Sequence, residues 1–325
     1  MESMTPTPSR PPWRNVIVFA DRFHENTGGV LVLHRLCDLL NRAGEKAFLW
    51  PARKPLWDPA APWASAWAAF RYHRRRWRKP YKTRPGFITP IATENDLHGA
   101  VVVYPEIVYG NPLRAENVVR WLLHKPGFHK GTIGFGPNDR FFFAQPAFND
   151  PKLNPDESNL LKMVVLRDDM YRQTNFGPRH GTCYFLRKGK GRPIVHDLTD
   201  SLCVDGFSHE QLVEVFNRVE MCVSYDPYTV YSYYAALCGC VSVIVPLEGI
   251  SKEQWYPDPC DRLGVAYGFD DVEHARRTTP DLLAYLRDLQ SPSNPTVQHF
   301  IAQCRRYFPI DEQAADRGDA ASTTS

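Results

Sequence analysis

The chain has 325 residues, 43% of them apolar and 23% charged, and a formal net charge of +3. That length exceeds what one hydrophobic core ordinarily serves, so two domains of about 150 residues are expected, with the composition of an ordinary soluble globular protein. No run approaches the ~20 apolar residues that cross a bilayer, and the stretch Met1 to Pro8 lacks the apolar core of a signal peptide, which points to the cytosol.

The eight cysteines are scattered, mostly inside apolar runs, with no C-x-x-C pair. This is the usage of reduced, buried thiols. Cys238-Gly-Cys240 straddles an expected helix stop and no partner pair has ligand spacing, so packing rather than a metal site is expected there.

Residues 1–14 are rich in Pro, Ser and Thr and are expected to be disordered, as is the polar tail 311–325. Asn15 to Ala20 reads as a buried strand, followed by the loop Asp21 to Gly29 and a helix from about Val30 to Ala43. Leu33, Leu36, Cys37 and Leu40 fall on one face of that helix, and Gly44 ends it. Lys46 to Trp50 resumes as a strand, completing a βαβ unit. Gly28 and Gly29 stand where backbone meets helix start, and their missing Cβ atoms permit a close approach. Turning the chain into the helix is an equally good role for the same pair.

The stretch 50–84 differs from the rest. It holds Trp50, Trp57, Trp63, Trp67 and Trp77, five of the eight tryptophans. Between Pro59 and Thr93 there is no acid against eight cations, including Arg74, Arg75 and Arg76, while the whole chain is only +3 and the remainder therefore −5. Such a split marks a local basic device. It suits an interfacial helix whose Trp63 and Trp67 enter the headgroup region while the arginines meet anionic lipid. It suits equally an insertion whose tryptophans pack on the domain. No recognised RNA or DNA module accompanies it, so a nucleic-acid partner is not expected.

Ala100 to Tyr104 is a strand that delivers Glu106 to its carboxyl end, where side chains of an α/β sheet reach a ligand. Arg114 to His124 reads as an amphipathic helix with Val118, Trp121 and Leu122 on one side. Phe141 to Ala144 and Met163 to Leu166 supply further strands, and Asp168 to His180 reads as an interdomain linker. The second domain opens with the strand Thr182 to Arg187, followed at once by Lys188-Gly-Lys-Gly-Arg192, a cationic glycine turn without the spacing of a P-loop. Ser208 and Gln211 form a capping box opening a helix to Val219.

Met221 to Pro246 then reads as strand, loop, helix, strand. Asp226-Pro227 stops the first strand, Thr229 is placed to cap the helix, Gly239 to end it, and Val241 to Val245 is the second strand. The free amides after such a strand attract phosphate. A last strand at Val265 to Tyr267 and helices at Pro280 to Leu289 and about Thr296 to Tyr307 complete the chain.

The run 221–246 resembles the donor-binding βαβ unit of GT-B glycosyltransferases. The matching positions are Ser224, Asp226, Thr229, Ala235 or Ala236, Gly239 and Val243 to Val245. One position departs: retaining members often carry two glutamates eight apart, whereas this chain has Asp226 and Tyr234. The turn Lys188 to Arg192 is similar to the cationic loop that neutralises the diphosphate leaving group in such donor domains, and Gly28-Gly29 resembles the glycine pair of GT-B acceptor domains. Tyr104-Pro-Glu-Ile through Gly127 is similar to a pattern of bacterial surface-polysaccharide glycosyltransferases.

The resemblance implies an α/β fold class of two Rossmann-like domains facing across a cleft. The N-terminal acceptor-side domain would cover 15–167, the linker 168–180, the nucleotide-sugar domain 181–300 and a return helix 301–310. It implies a glycosyltransferase of polysaccharide biosynthesis, with a nucleotide-sugar donor, a glycan or lipid-linked acceptor, no cofactor and no metal; on the interfacial reading of 50–84 the cytosolic protein would be peripheral at the inner face of the membrane. Donor binding would fall to Gly28, Gly29, Arg187, Lys188, Lys190, Arg192, Tyr225, Asp226, Thr229 and Ser232. A general base would come from Glu106, His24 or Asp21, each at a carboxyl strand end. A sugar-nucleotide epimerase of the same fold and a non-catalytic glycan-assembly scaffold are the alternatives.

Overall fold

The computed structural model describes residues 15–129 and 131–308. The expected disordered tails, 1–14 and 311–325, lie outside the described residues, as do the last two positions of the expected return helix. The chain forms two compact units: one runs to Met163 and takes the chain back from Ser291, and the second is Val164–Gln290.

The first unit contains β1 (Val16–Ala20), α1 (Gly28–Arg42), β2 (Ala47–Pro51), α2 (Pro62–Arg78), β3 (Val101–Pro105), β4 (Asn117–Leu122) and β5 (Arg140–Phe143). Its strands pair in the order β2-β1-β3-β4-β5 and every pairing is parallel. Strand alternation sends Val16, Val18, Val101 and Val103 to one face, under Leu33, Leu36 and Leu40 of α1. Ile17, Phe19, Val102 and Tyr104 go to the other, with Trp50 and Leu113. Both faces are covered, which is why these strands read as unbroken apolar runs.

The second unit contains β6 (Thr182–Phe185), β7 (Ser201–Cys203), α3 (His209–Arg218), β8 (Met221–Ser224), α4 (Tyr231–Leu237), β9 (Val241–Ile244), α5 (Lys252–Trp255), β10 (Val265–Tyr267) and α6 (Val272–Asp288). Its order is β10-β9-β8-β6-β7, again all parallel. Both units are therefore Rossmann-like α/β layers. The capping box at Ser208 and Gln211 is formed as expected. Gly239 stands at φ +86°, where an added Cβ would come within 3 Å of the Gln173 and Arg179 side chains, so only glycine serves this stop.

Four local expectations are corrected. The segment 114–124 is not a helix: its core is β4, in register with β3 so that Val103 faces Val119 and Tyr104 faces Arg120. Val118 joins one core and Val119 and Trp121 the other, a two-residue alternation that the i, i+3, i+4 spacing of Val118, Trp121 and Leu122 had masked. Met163 to Leu166 forms no strand. The segment 168–180 belongs to the second unit rather than linking two: Tyr171 is buried and stacked 4.1 Å from Tyr234, and the Arg179 guanidinium donates to the Phe216 carbonyl at 2.7 Å and the Cys238 carbonyl at 2.7 Å. α6 starts eight residues before Pro280 and runs through it. Around that proline the Thr278 and Thr279 hydroxyls donate to the His274 and Ala275 carbonyls, both at 2.8 Å.

The return to the first unit comes at Ser291, ahead of the expected 301. α7 (Pro295–Tyr307) places Val297, Phe300, Ile301 and Cys304 in the α1 core, and Arg305 pairs with Glu45 at 2.6 Å. Six of the eight thiols are buried, Cys238 and Cys240 among them, while Cys260 is exposed.

Candidate functional site

In a parallel sheet the carboxyl strand ends share one edge, so the second unit gathers there the residues that follow β6, β7, β8 and β9. After β6 the chain makes a tight turn through Arg187–Gly189. Arg187 sits at φ +41°, a left-handed conformation that side chains other than glycine rarely adopt. Two contacts hold it: its amide donates to Asp205 Oδ2 at 3.0 Å, and its guanidinium lies 4.4 Å over the Tyr231 ring at the start of α4. A Cβ on Gly189 would stand 2.1 Å from the Tyr225 carbonyl oxygen, so the turn is pressed against the end of β8 and requires glycine.

The four expected cations divide into two groups. Arg192 is spent on the fold: Nη1 donates to the Tyr225 carbonyl at 2.7 Å, and Nη2 to the carbonyls of Val245 and Pro246. It fastens the ends of β8 and β9 rather than presenting its charge. Lys188 and Lys190 are exposed, Arg187 is half-buried, and among the described residues none of the three forms an ion pair. Three uncompensated cations thus border one turn.

Tyr225 is fully buried and its hydroxyl accepts from the Val195 amide at 2.9 Å and meets His196 Nδ1 at 2.7 Å. It anchors the irregular segment after the cationic turn, a structural position rather than an open one. Burial lowers the His196 pKa, and its second ring nitrogen lies 3.0 Å from Ser201 Oγ. Asp226 is buried, with Oδ1 accepting from the Tyr228 amide at 3.2 Å. Thr229 does not cap α4: Val230 occupies that position, and Thr229 Oγ1 accepts from the Tyr231 amide at 3.4 Å. Ser232 is buried and its hydroxyl has no partner among the described residues.

Asp205, Tyr231 and His196 were not singled out from sequence. Asp205 carries a usable signal, an acid two residues after a strand, but β7 is only three residues long, too short to read as one. A cavity of about 610 Å³ lies at the other edge, between the amino ends of β6 and β7, lined by His180, Thr182, Asp200, Ser201 and Arg218. Asp205, Tyr231 and His196 do not line it, although its Ser201 is the residue whose Oγ lies 3.0 Å from His196 Nε2.

At the carboxyl edge of the first unit, Glu106 is buried and its Oε2 accepts from the Leu123 amide at 3.0 Å, tying the end of β3 to the end of β4. Asp21 and His24 are in the exposed loop after β1. Asp21 Oδ1 accepts from the Arg22 amide at 2.8 Å and Oδ2 lies 3.8 Å from Arg53, while His24 Nδ1 accepts from the Asn26 amide at 3.3 Å. Gly28 and Gly29 are the first residues of α1. Neither has a positive φ, a Cβ on Gly28 would meet nothing within 4 Å, and one on Gly29 would make ordinary contact with Leu123 at 3.7 Å. The turn into α1 therefore does not itself require glycine.

Two further groups shape this edge. Arg120 is fully buried on β4, bonded to Asp139 at 2.6 Å and to the Val108 and Gly110 carbonyls at 3.0 and 2.6 Å, so it holds the loops after β3 and before β5. Its assignment to a helix concealed this role. His34, buried on α1, donates through Nε2 to the Asp21 carbonyl at 3.0 Å and stacks on Tyr81. Burial lowers its pKa, so the ring is neutral and the loop after β1 is pinned without charge.

Of the membrane-facing set, Trp63, Trp67, Arg74, Arg75 and Arg76 all lie on α2 and all are exposed. Among the described residues no helix is long and apolar enough to cross a membrane, and no cluster of three His, Cys, Asp or Glu could hold a metal ion.

No protein-family model matches the chain, and no curated protein matches it by sequence. Among solved structures it is similar to an O-GlcNAc transferase of Thermobaculum terrenum, with a TM-score of 0.48 and 13% identity over 94% of this chain and 69% of that one. It is also similar to T4 phage BGT in complex with UDP and Mn2+, at 0.41 and 7% over 90% and 98%. The glycotransferase of kitacinnamycin is similar at 0.33 and 11%, over 96% and 99%.

Proposed function

We propose that the protein is a glycosyltransferase that moves a sugar from a nucleotide-sugar donor to a glycan or lipid-linked acceptor in polysaccharide biosynthesis, with the GT-B arrangement its sequence resembles. The observation that carries this reading is the turn after β6. Arg187 is held in a costly backbone conformation by Asp205, Lys188 and Lys190 flank it, and among the described residues no acid forms an ion pair with any of the three. A fold tolerates such strain and uncompensated charge where an anionic ligand returns the cost. The obstacle in glycosyl transfer is departure of a nucleoside diphosphate with developing charge, and fixed cations at that position stabilise it. The buried, unpartnered Ser232 hydroxyl near the start of α4 supports a polar ligand at the same edge.

In this proposal the first unit supplies acceptor activation. Glu106 is the leading general base if the reaction inverts and orients the sugar if it retains, with His24 and Asp21 the exposed alternatives at the same edge. The leaving group is met by protein cations, so the proposal extends to metal independence and a protein without cofactor.

The test is a calorimetric and thermal-shift panel of nucleoside diphosphates and nucleotide sugars, run with EDTA and with Mg2+ or Mn2+, on wild type, Lys188→Ala and Lys190→Ala. A diphosphate at 100 times its Kd stabilises the fold by about 2.7 kcal/mol. Stabilisation by one nucleotide series, weakened in both variants and unchanged by EDTA, is expected. Failure of every nucleotide would sink the reading in favour of a non-catalytic scaffold. Release of an epimerised sugar nucleotide without acceptor would make it an epimerase.

A further inference from the structure

α2 is built the wrong way round for a surface helix of a globular protein. Its contact with its own unit is made by a narrow stripe of three small side chains and one tyrosine: Ser65 is buried, and Ala68, Ala69 and Tyr72 are half-buried. These four have the i, i+3, i+4, i+7 spacing of one helix face. The large apolar residues are on the opposite face. Trp63 is 88% exposed, Trp67 62%, Phe70 54% and Trp77 89%. At 100° per residue those four rings fall within an arc of about 80°, turned roughly half a circle from the Ser65 stripe. The packed-insertion expectation is thereby corrected for the tryptophans of this helix, which meet no core.

Charge follows the same geometry. Arg74 projects from the middle of the aromatic arc, Arg71 and Arg78 border it on one side, and the helix carries no acid. Arg76, four residues after Tyr72, falls on the Tyr72 side of the helix. An ordinary exposed helix sets carboxylates four residues from its arginines; this one leaves every guanidinium free of acids on its own surface. The helix has 17 residues, about 25 Å, and is too polar to span a bilayer.

We propose that α2 lies in the interface of an anionic lipid bilayer, parallel to its surface, with Trp63, Trp67, Phe70 and Trp77 at the boundary of headgroups and acyl chains and Arg71, Arg74 and Arg78 on lipid phosphates. An anionic bilayer answers both halves of the face at once: a medium for four aligned rings and a counter-charge for the guanidiniums. A second copy of the chain would bring the same uncompensated cations against themselves. A nucleic-acid duplex would neutralise the arginines but leave the aromatic arc in water. The rings also stack on one another, Trp67 on Phe70 at 5.6 Å, rather than standing apart as platforms for successive bases. This inference deepens the proposed function by placing the acceptor's compartment, and it does not depend on donor binding.

The experiment is flotation of the full chain, without nucleotide, with phosphatidylcholine vesicles holding no or 30% phosphatidylglycerol. Wild type is compared with a variant carrying Trp63→Ser, Trp67→Ser, Phe70→Ser and Trp77→Ser and one carrying Arg71→Gln, Arg74→Gln and Arg78→Gln. All substituted side chains are exposed, and circular dichroism with thermal melting checks that the fold is kept. Wild type is expected on anionic vesicles only, with its tryptophan emission quenched by brominated lipid. The arginine variant should lose on the order of 100-fold in partitioning, about fivefold per cation, and the aromatic variant should be released. Absence of wild-type binding would overturn the proposal, as would undiminished binding of the aromatic variant. Retention of wild type by a single-stranded oligonucleotide, lost in the aromatic variant while vesicles are ignored, would make the face a nucleic-acid surface instead. Because no nucleotide is present, a negative result here leaves the donor panel to be judged separately.

Discussion

Replacing Arg192 by alanine separates a structural cation from a ligand-binding one. Its guanidinium donates to Tyr225 at 2.7 Å and to the carbonyls of Val245 and Pro246, so the ends of β8 and β9 are fastened by one side chain. Hydrogen bonds from a charged donor contribute about 1.5–3 kcal/mol each, but the side chain is half-exposed and water replaces part of what is lost. The expected cost is therefore about 2–3 kcal/mol, or roughly 5–12 °C in melting temperature for a unit of this size. Calorimetry of the protein without nucleotide measures it directly. Lys188→Ala serves as the contrast, since that side chain is exposed and forms no ion pair among the described residues: its melting should match wild type while nucleotide affinity falls. If Arg192→Ala melts like wild type but loses nucleotide binding, the clamp is wrong and Arg192 is a phosphate ligand after all.

Three other outcomes are expected. Arg187→Gly relieves a positive φ at the expense of a freer unfolded chain, so its melting without nucleotide should stay within about 1 kcal/mol of wild type while the nucleotide-induced shift shrinks; a large loss of stability would show that the Tyr231 contact holds the fold. Glu106→Gln keeps an oxygen for the Leu123 amide and should be nearly silent in urea unfolding, yet lower turnover by about 10²–10⁴-fold if Glu106 is the base; undiminished turnover would return that role to His24 or Asp21. His34 has a pKa below its ordinary 6.5 because it is buried, so the unfolded chain takes up a proton that the folded one refuses. Stability from this group is complete above about pH 6.5 and declines as pH falls below it. The urea midpoint of wild type should drop between pH 7.5 and 5.5 by more than that of His34→Gln, and equal drops would remove His34 from the account.

What the sequence by itself determined is local. Apolar runs such as Val16 to Ala20 and Val241 to Ile244, punctuated by Gly44, Gly239 and Pro246, specify strand and helix through backbone sterics and burial on both faces. The Ser208–Gln211 capping box and the cation-rich turn after β6 are equally contained in a few neighbouring residues. Residues 114–124 show where that reach ends: Val118, Trp121 and Leu122 satisfy a helical period and a strand period alike, and only pairing with β3 selects the strand. Likewise nothing in the spelling of Lys188 to Arg192 distinguishes its last cation from the others. The distinction arises because the ends of β8 and β9, remote in sequence, bring three carbonyls to Arg192 and, among the described residues, none to Lys188. For α2 the composition showed an aromatic and basic device, but whether its tryptophans packed inward depended on which face the fold covered. Tertiary structure covered the small-residue stripe, because Ser65, Ala68 and Ala69 permit close approach, and that choice left the aromatic face to solvent.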